Sequence, residues 1–293
     1  MSFVLSCCDT TDLNPAVYLK REIYPLSFHF RLDDTEYPDA EGNAPKEEEF
    51  YAALVASREA HTAQPGIGEY LEHFSRFLSA GQDVLHIAFS SGLSGGWSAA
   101  RNAALIAEER FPERRILVVD SLAASSGYGL LMCTLADLRD GGCSIEETAA
   151  WAEENKLRLN HLFFSQDLSF YVRGGRISKA AAIFGGVLNI CPVLDMNREG
   201  RLTPREKVRG KKQAIRRLGE KMARLAENGP DYDRRCFICH SACREDAEAM
   251  AEEVVRHFPR LAGKIEIYYV GPVIGCHTGP GTVALFFFGA ERE

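Results

Sequence analysis

The chain has no apolar run approaching the ~18 residues of a membrane-spanning helix, which argues against stable membrane insertion. It has no charged leader either. Met1-Ser-Phe-Val-Leu-Ser-Cys-Cys-Asp9 lacks a basic start and a long apolar core, so it reads as a first buried strand rather than a signal peptide. The expected location is the cytoplasm. Basic charge is in deficit: 34 Lys and Arg stand against 41 Asp and Glu, a net charge of −7. That balance argues against a nucleic-acid binder. The densest basic stretch is Lys207-Val-Arg-Gly-Lys-Lys212, with Arg216 and Arg217 beyond it. It suits a solvated helix face as well as a docking patch. No Gly-Lys-Ser/Thr closes a phosphate loop. Gly92-Leu93-Ser94-Gly95-Gly96 formally meets the G-x-S-x-G spacing of a nucleophile elbow. Internal repeats and low-complexity segments are also missing.

Cysteine is not scarce: there are nine, an odd number. In a cytoplasmic chain they are expected to be reduced and mostly buried. Cys236-Phe-Ile-Cys239-His240 formally contains a haem-attachment pattern, and Cys243 follows. No second Cys/His pair follows at zinc-finger spacing. The stretch reads as a β-strand, in which positions three apart face opposite sides. No metal and no cofactor is expected.

At 293 residues and 46% apolar content the chain is long enough for two domains. Strands are read at 3–7, 83–89 and 116–120, and a strand pair at 23–32. Residues 33–49 read as an acidic surface loop leading into a helix at 50–57. Residues 60–68 read as a loop, with Thr62 as a turn or helix cap. Helices are read at 69–80, 97–110, from the Ala/Gly-rich stretch to 138, and at 145–157. Strand, polar loop and helix in alternation imply a parallel sheet covered on both faces. The loops Asp9–Asp12, Ser90–Gly95 and Asp120–Ser121 should share its carboxyl edge, where ligands gather.

The second half reads differently. Strands are expected at 159–165, 201–207, 235–240, 264–270 and 283–288, and helices at 210–228 and 245–257. The predicted architecture is α/β with two domains. Residues 1–157 form a mainly parallel N-terminal domain, and 158–293 an α/β domain with a mixed or antiparallel sheet. An elongated apolar cavity lies between them.

Three segments could carry chemistry. Tyr171-Val-Arg173-Gly-Gly-Arg176 opens a stretch that continues as a small-residue helix at about 178–187 and a β-type run that Pro192 interrupts. Charge at one end and an apolar body beyond would suit a ligand with a polar head and a greasy tail, but a tightly packed helix with a polar cap explains it too. Ser90-Ser-Gly-Leu-Ser94-Gly95 precedes a helix, where exposed N–H groups and hydroxyls form an anion site or a plain cap. Gly271-Pro-Val-Ile-Gly275-Cys-His277-Thr278-Gly-Pro-Gly281 is a stiff glycine-rich loop. His277 there can meet an anion, carry a proton, or only bond its own loop.

Taken together, these motifs resemble the DegV family along nearly the full chain. The matching stretches are Asp9-Thr-Thr-Asp12-Leu13, His61-Thr62-Ala63-Gln64-Pro65, Ser90-Ser-Gly-Leu-Ser-Gly95, Val119-Asp120-Ser121, Gly174-Gly-Arg-Ile-Ser-Lys179, Lys207-Val-Arg-Gly210 and Gly275-Cys-His-Thr-Gly-Pro280. The resemblance implies a bacterial fatty-acid-binding protein, in some members the acyl-carrying subunit of a fatty acid kinase. Thr62 and Ser94 match the family's carboxylate-binding threonine and serine, and His277 its histidine. Gly95, Thr278 and Arg176 are the further expected ligand contacts. The chain departs from the pattern at Ala63, Gly66 and Gly96. About fifteen buried CH₂ groups at ~0.8 kcal/mol each supply roughly 12 kcal/mol of gross driving force. Association and head-group desolvation offset much of it. Ile177, Ala181, Phe184 and Leu188 are candidate tail contacts, though core packing explains them equally. Arg173, Arg176 and Arg209 are candidates for contacting a kinase partner. Two alternatives remain at this stage. One is a serine hydrolase or transferase with Ser94 as nucleophile and His277 as base; the other is a docking protein without lipid.

Overall fold

Short β-rich runs bounded by turn residues become strands, and period-3.6 stretches become helices. The computed structural model describes residues 3–37, 46–57, 59–181 and 189–293. In chain order the first half comprises β1 Val4–Cys8, α1 Pro15–Lys20, β2 Ile23–Leu26, β3 His29–Leu32, β4 Thr35–Tyr37 and α2 Glu47–Ala56. Then come β5 Ala60–Ala63, α3 Ile67–Leu78, β6 Val84–Ala88, α4 Gly96–Arg110, β7 Ile116–Asp120, α5 Ser125–Asp140 and α6 Ile145–Asn155. The second half comprises β8 Leu159–Ser165, α7 Ser169–Arg173, β9 Ile190–Met196, β10 Leu202–Arg209 and α8 Lys211–Leu225. It ends with β11 Phe237–His240, α9 Arg244–His257, β12 Glu266–Tyr269, α10 Pro272–Thr278 and β13 Thr282–Phe288.

The protein is α/β. β2-β1-β6-β7 form a parallel sheet, with Leu5 opposite Ile23 and Leu85. β1 and β6 are buried at every position, as strands covered on both faces must be. The larger sheet runs β10-β9-β8-β13-β11-β12, antiparallel except where β11 meets β12. A three-stranded antiparallel sheet, β4-β3-β5, stands apart from both.

Two helices show how pattern sets position. α3 buries Tyr70, Phe74, Phe77 and Leu78 on one stripe and is capped by Glu69, which accepts the Gly66 N–H at 2.8 Å. α5 is buried nearly all round, from Ser125 to Ala136, because it packs against β1 on one side and β8, β11 and β13 on the other. Its small residues permit that: a Cβ at Gly127 would come within 2.5 Å of the His161 ring. The main core cluster therefore runs through both sheets, from Leu5 and Leu85 past Leu131 to Phe163 and Phe286. A second core under α8 and α9 contains Phe164, Leu218, Met222, Ile238 and Val254.

Some expectations need correcting. The 23–32 segment is not a strand pair: β2 joins the parallel sheet and β3 the three-stranded one, because the chain turns away at Ser27-Phe28. Residues 60–63 are a strand, held by pairing with β3 rather than by their own propensity. The 271–281 stretch is not all loop. Pro272 at the first position and Gly275 in the middle open and continue α10. Pro192 does not interrupt β9, whose ladder to β8 covers 193–195, so no bond of that ladder needs its missing N–H. Of the helix expected at 178–187, residues 179–181 are a turn and 182–187 lie outside the described residues. The helix in this region comes earlier, as α7. The acidic stretch expected as loop contains β4 at its start, and 38–45 lie outside the described residues.

Candidate functional site

The loops after β1, β6 and β7 meet at the carboxyl edge of the parallel sheet, as expected for parallel strands. Ser121 N–H donates to the Ala88 carbonyl and Ser90 N–H to the Ala123 carbonyl, both at 3.1 Å. Between this edge and the inner face of the six-stranded sheet lies a cavity that opens to solvent. Strand alternation selects one wall. Thr282, Ala284 and Phe286 of β13 face inward, beside His161 and Phe163 of β8 and Met196 of β9. The other wall comes from Phe28, Phe89 and Leu93, and from Val273 and Ile274 of α10. Such a lining expels water and holds an apolar body.

Polar groups gather at one part of this cavity. Thr62 of β5, Ser94 before α4, Arg176 after α7, and His277 and Thr278 of α10 all line it. Thr62 Oγ1 lies 2.7 Å from His277 Nε2. Ser94 Oγ donates to Gln64 Oε1 at 2.8 Å and accepts the Gly96 N–H at 3.1 Å. Gln64 is two residues from Thr62, so β5 and its exit connect the two hydroxyls. Gly95 is not a wall residue. It caps α4, and a Cβ there would stand 3.0 Å from Gln64 Oε1, so glycine lets the amide approach.

Electrostatics at this end keep the imidazole neutral. Burial, then the Arg176 cation, push His277 down to about 3. Burial also lowers Arg176, whose Nη1 donates to the Gly174 carbonyl at 2.6 Å. His277 Nδ1 and Thr278 Oγ1 are buried with no hydrogen-bond partner among the described residues. The Gly174-Gly175 turn makes room for this ring, since a Cβ at Gly174 would fall 2.3 Å from Nδ1. Buried polar atoms without partners mark a place where a ligand group can be met.

The hydrolase geometry is not assembled. Ser94 bonds Gln64 and His277 bonds Thr62, and the hydrogen-bonding partners of His277 among the described residues include no carboxylate. Of the expected tail contacts, Ile177 is buried but off the cavity and Ala181 is exposed, while Phe184 and Leu188 lie outside the described residues. Arg173 and Arg209 are exposed and Arg176 half-buried. Cys239 lines the cavity, whereas Cys236 points into the second core, the opposite facing expected of a strand. Burial pushes the Cys239 thiol up to about 12.

Sequence reasoning missed Gln64 as a partner of Ser94, although it stands in the quoted motif. It also missed His161. That ring lies against the apolar wall with Nε2 accepting the Ala124 N–H at 3.3 Å and Nδ1 donating to the Leu159 carbonyl at 3.2 Å. No local pattern signals such a residue; only the register of β8 puts it inward.

Comparison with known proteins agrees with this fold. A family model described as "Uncharacterised protein, DegV family" matches residues 9–290. A DegV domain-containing protein of Clostridium perfringens is 36% identical, over 99% of each chain. A fatty-acid-binding DegV family protein of Thermus thermophilus superposes with a TM-score of 0.85 at 27% identity, covering 99% of this chain and 100% of the other. Another, from Streptococcus agalactiae, gives the same TM-score, identity and coverage. No helix among the described residues is long and apolar enough to cross a membrane.

Proposed function

The chain belongs to the DegV family, and from that premise we propose that it binds a long-chain fatty acid, tail in the apolar cavity and carboxylate against Thr62 and Ser94. The observation that carries this reading is the cavity itself: an apolar lining with hydroxyls, a neutral imidazole and one arginine converging at one part of it. The fatty-acid binding of the Thermus and Streptococcus proteins supports the ligand class. In the tautomer that carries its proton on Nε2, His277 donates to Thr62 Oγ1 and leaves the threonine hydroxyl free to donate to a carboxylate. Ser94 does the same once the Gln64 amide turns its NH₂ toward it. The Gly96 N–H at the start of α4 adds positive potential beside Ser94. Arg176 compensates the incoming charge without a direct ion pair being required.

In this reading the protein is a binding subunit rather than a catalyst, resident in the cytoplasm. It presents the carboxylate to a separate fatty acid kinase, with exposed Arg173 and Arg209 on the partner-facing surface. Hydroxyl donors suit that task, because they hold a carboxylate without burying it against a fixed cation.

The test compares a long-chain fatty acid with the matching alcohol by titration. Thr62→Ala and Ser94→Ala should each weaken acid binding about ten-fold or more, the loss of one hydrogen bond to a charged group at about 1.5–3 kcal/mol. Alcohol binding should change much less. Equal acid affinity in mutants and wild type would show the head-group assignment to be wrong. Acyl-ester hydrolysis that Ser94→Ala abolishes would replace this reading with an enzyme.

A further inference from the structure

Asp12 is a carboxylate that the fatty-acid reading leaves without a task. It ends the turn after β1 in the left-handed region, at φ 53°. Its Oδ1 accepts the Gly271 N–H at 3.0 Å, and its Oδ2 accepts the hydroxyl of Ser125. Ser125 also has φ 53°, and it lines the cavity. Two non-glycine residues in a sparsely populated conformation therefore meet in one hydrogen bond, and such conformations persist only where surrounding structure imposes them. Gly271 is the N-cap of α10.

α10 is only seven residues long and carries both His277 and Thr278. A helix that short has little stability of its own, so its placement depends on anchors. One anchor is Tyr51, whose hydroxyl donates to the Val270 carbonyl at 3.1 Å. Asp12 grips the next residue from the opposite half of the chain.

Resting on the fatty-acid reading above, we propose that Asp12 is a positioning residue for the head-group site: it ties the start of α10 and the Ser125 wall to the β1 edge, so that His277 stays at Thr62. Asp12 acts through α10 and does not itself touch the ligand. An asparagine can replace both bonds, its carbonyl accepting from Gly271 and its amide donating to Ser125 Oγ. An alanine can replace neither.

The experiment titrates a long-chain fatty acid and the matching alcohol against wild type, Asp12→Ala, Asp12→Asn and Ser125→Ala. Asp12→Ala should lose acid affinity roughly ten-fold while alcohol affinity stays within about two-fold. Asp12→Asn should restore most of the acid affinity, and Ser125→Ala, which removes one anchor, should fall between. Should Asp12→Ala not fold, Asp12→Asn and Ser125→Ala alone decide: a preserved acid preference in the first and a reduced one in the second support the role. Equal loss for acid and alcohol, or no loss in either, overturns it. If wild type itself does not prefer acid to alcohol, the head-group reading fails, independently of Asp12.

Discussion

Buried histidines make single residues answer to pH. Ser6 Oγ bonds both His73 Nε2, at 2.8 Å, and His86 Nδ1, at 2.9 Å, at the parallel sheet. Burial pushes His73 down to about 4 and His86 and His277 to about 3; His161 also lies well below its ordinary value. In the unfolded chain these rings take a proton near 6.5, so the folded state binds fewer protons below that pH. Their stabilisation is complete above about 6.5 and is lost as pH falls toward 4. Asp12 works the other way: burial raises it to about 7, so its share is present at low pH and fades as pH rises through neutrality. Four histidines outweigh one carboxyl between pH 4 and 6.5. The urea midpoint should therefore fall steadily on acidification across that window, and His86→Gln should flatten the slope by about one proton. A midpoint independent of pH from 7 to 4 would contradict the buried neutral assignment.

At the scale of elements, close backbone approaches fix the loop that carries Ser94. A Cβ on Gly92 would stand 2.3 Å from the Glu199 carbonyl, and Ser90 Oγ donates to the Gly200 carbonyl at 2.8 Å. The loop before α4 is thus pressed onto the β9–β10 turn of the other half. Gly92→Ala must displace backbone, a change of the overpacking kind that costs about 1–3 kcal/mol. The expected outcome is a lower urea midpoint with weaker binding of fatty acid; unchanged stability would mean that the contact is looser than its geometry. The same element shows the reach of sequence reading. Ser90–Gly96 followed by a helix was legible because Ser and Gly before an apolar-periodic run have a local physical cause. β5 was not, since Ala60-His-Thr-Ala63 has no strand signature and becomes a strand only by pairing with β3.

For the whole molecule, the cavity couples the two halves. α5 packs on both sheets and the main core runs through them. Arg292 adds a polar tie, donating to the carbonyls of Leu122 and Lys156 at 2.9 and 3.1 Å. Fatty acid lying between the halves should raise the stability of the folded chain by mass action, about 2.7 kcal/mol at a free concentration one hundred times Kd. Scanning calorimetry should show one transition that moves up as a whole with added acid. Two separated transitions, only one of which moves, would instead assign the ligand to a single half.

The sequence alone determined what local chemistry can determine. Alternation of apolar strands, polar loops and amphipathic helices set the parallel sheet and the edge at which Asp9, Ser90 and Asp120 meet, because those periods are properties of a single segment. Ser94, Arg176 and His277 stood out from the chemistry of their own loops, but the ligand roles of Thr62, Ser94, Arg176, His277 and Thr278 came from a family resemblance. Only tertiary structure decided that these five line one cavity, that Gln64 holds Ser94, that His161 faces the apolar wall, and that Asp12 reaches Gly271. The reason is physical: each is a contact between segments far apart in the chain, set by strand register and helix packing, and no single stretch of sequence records which partner it will meet.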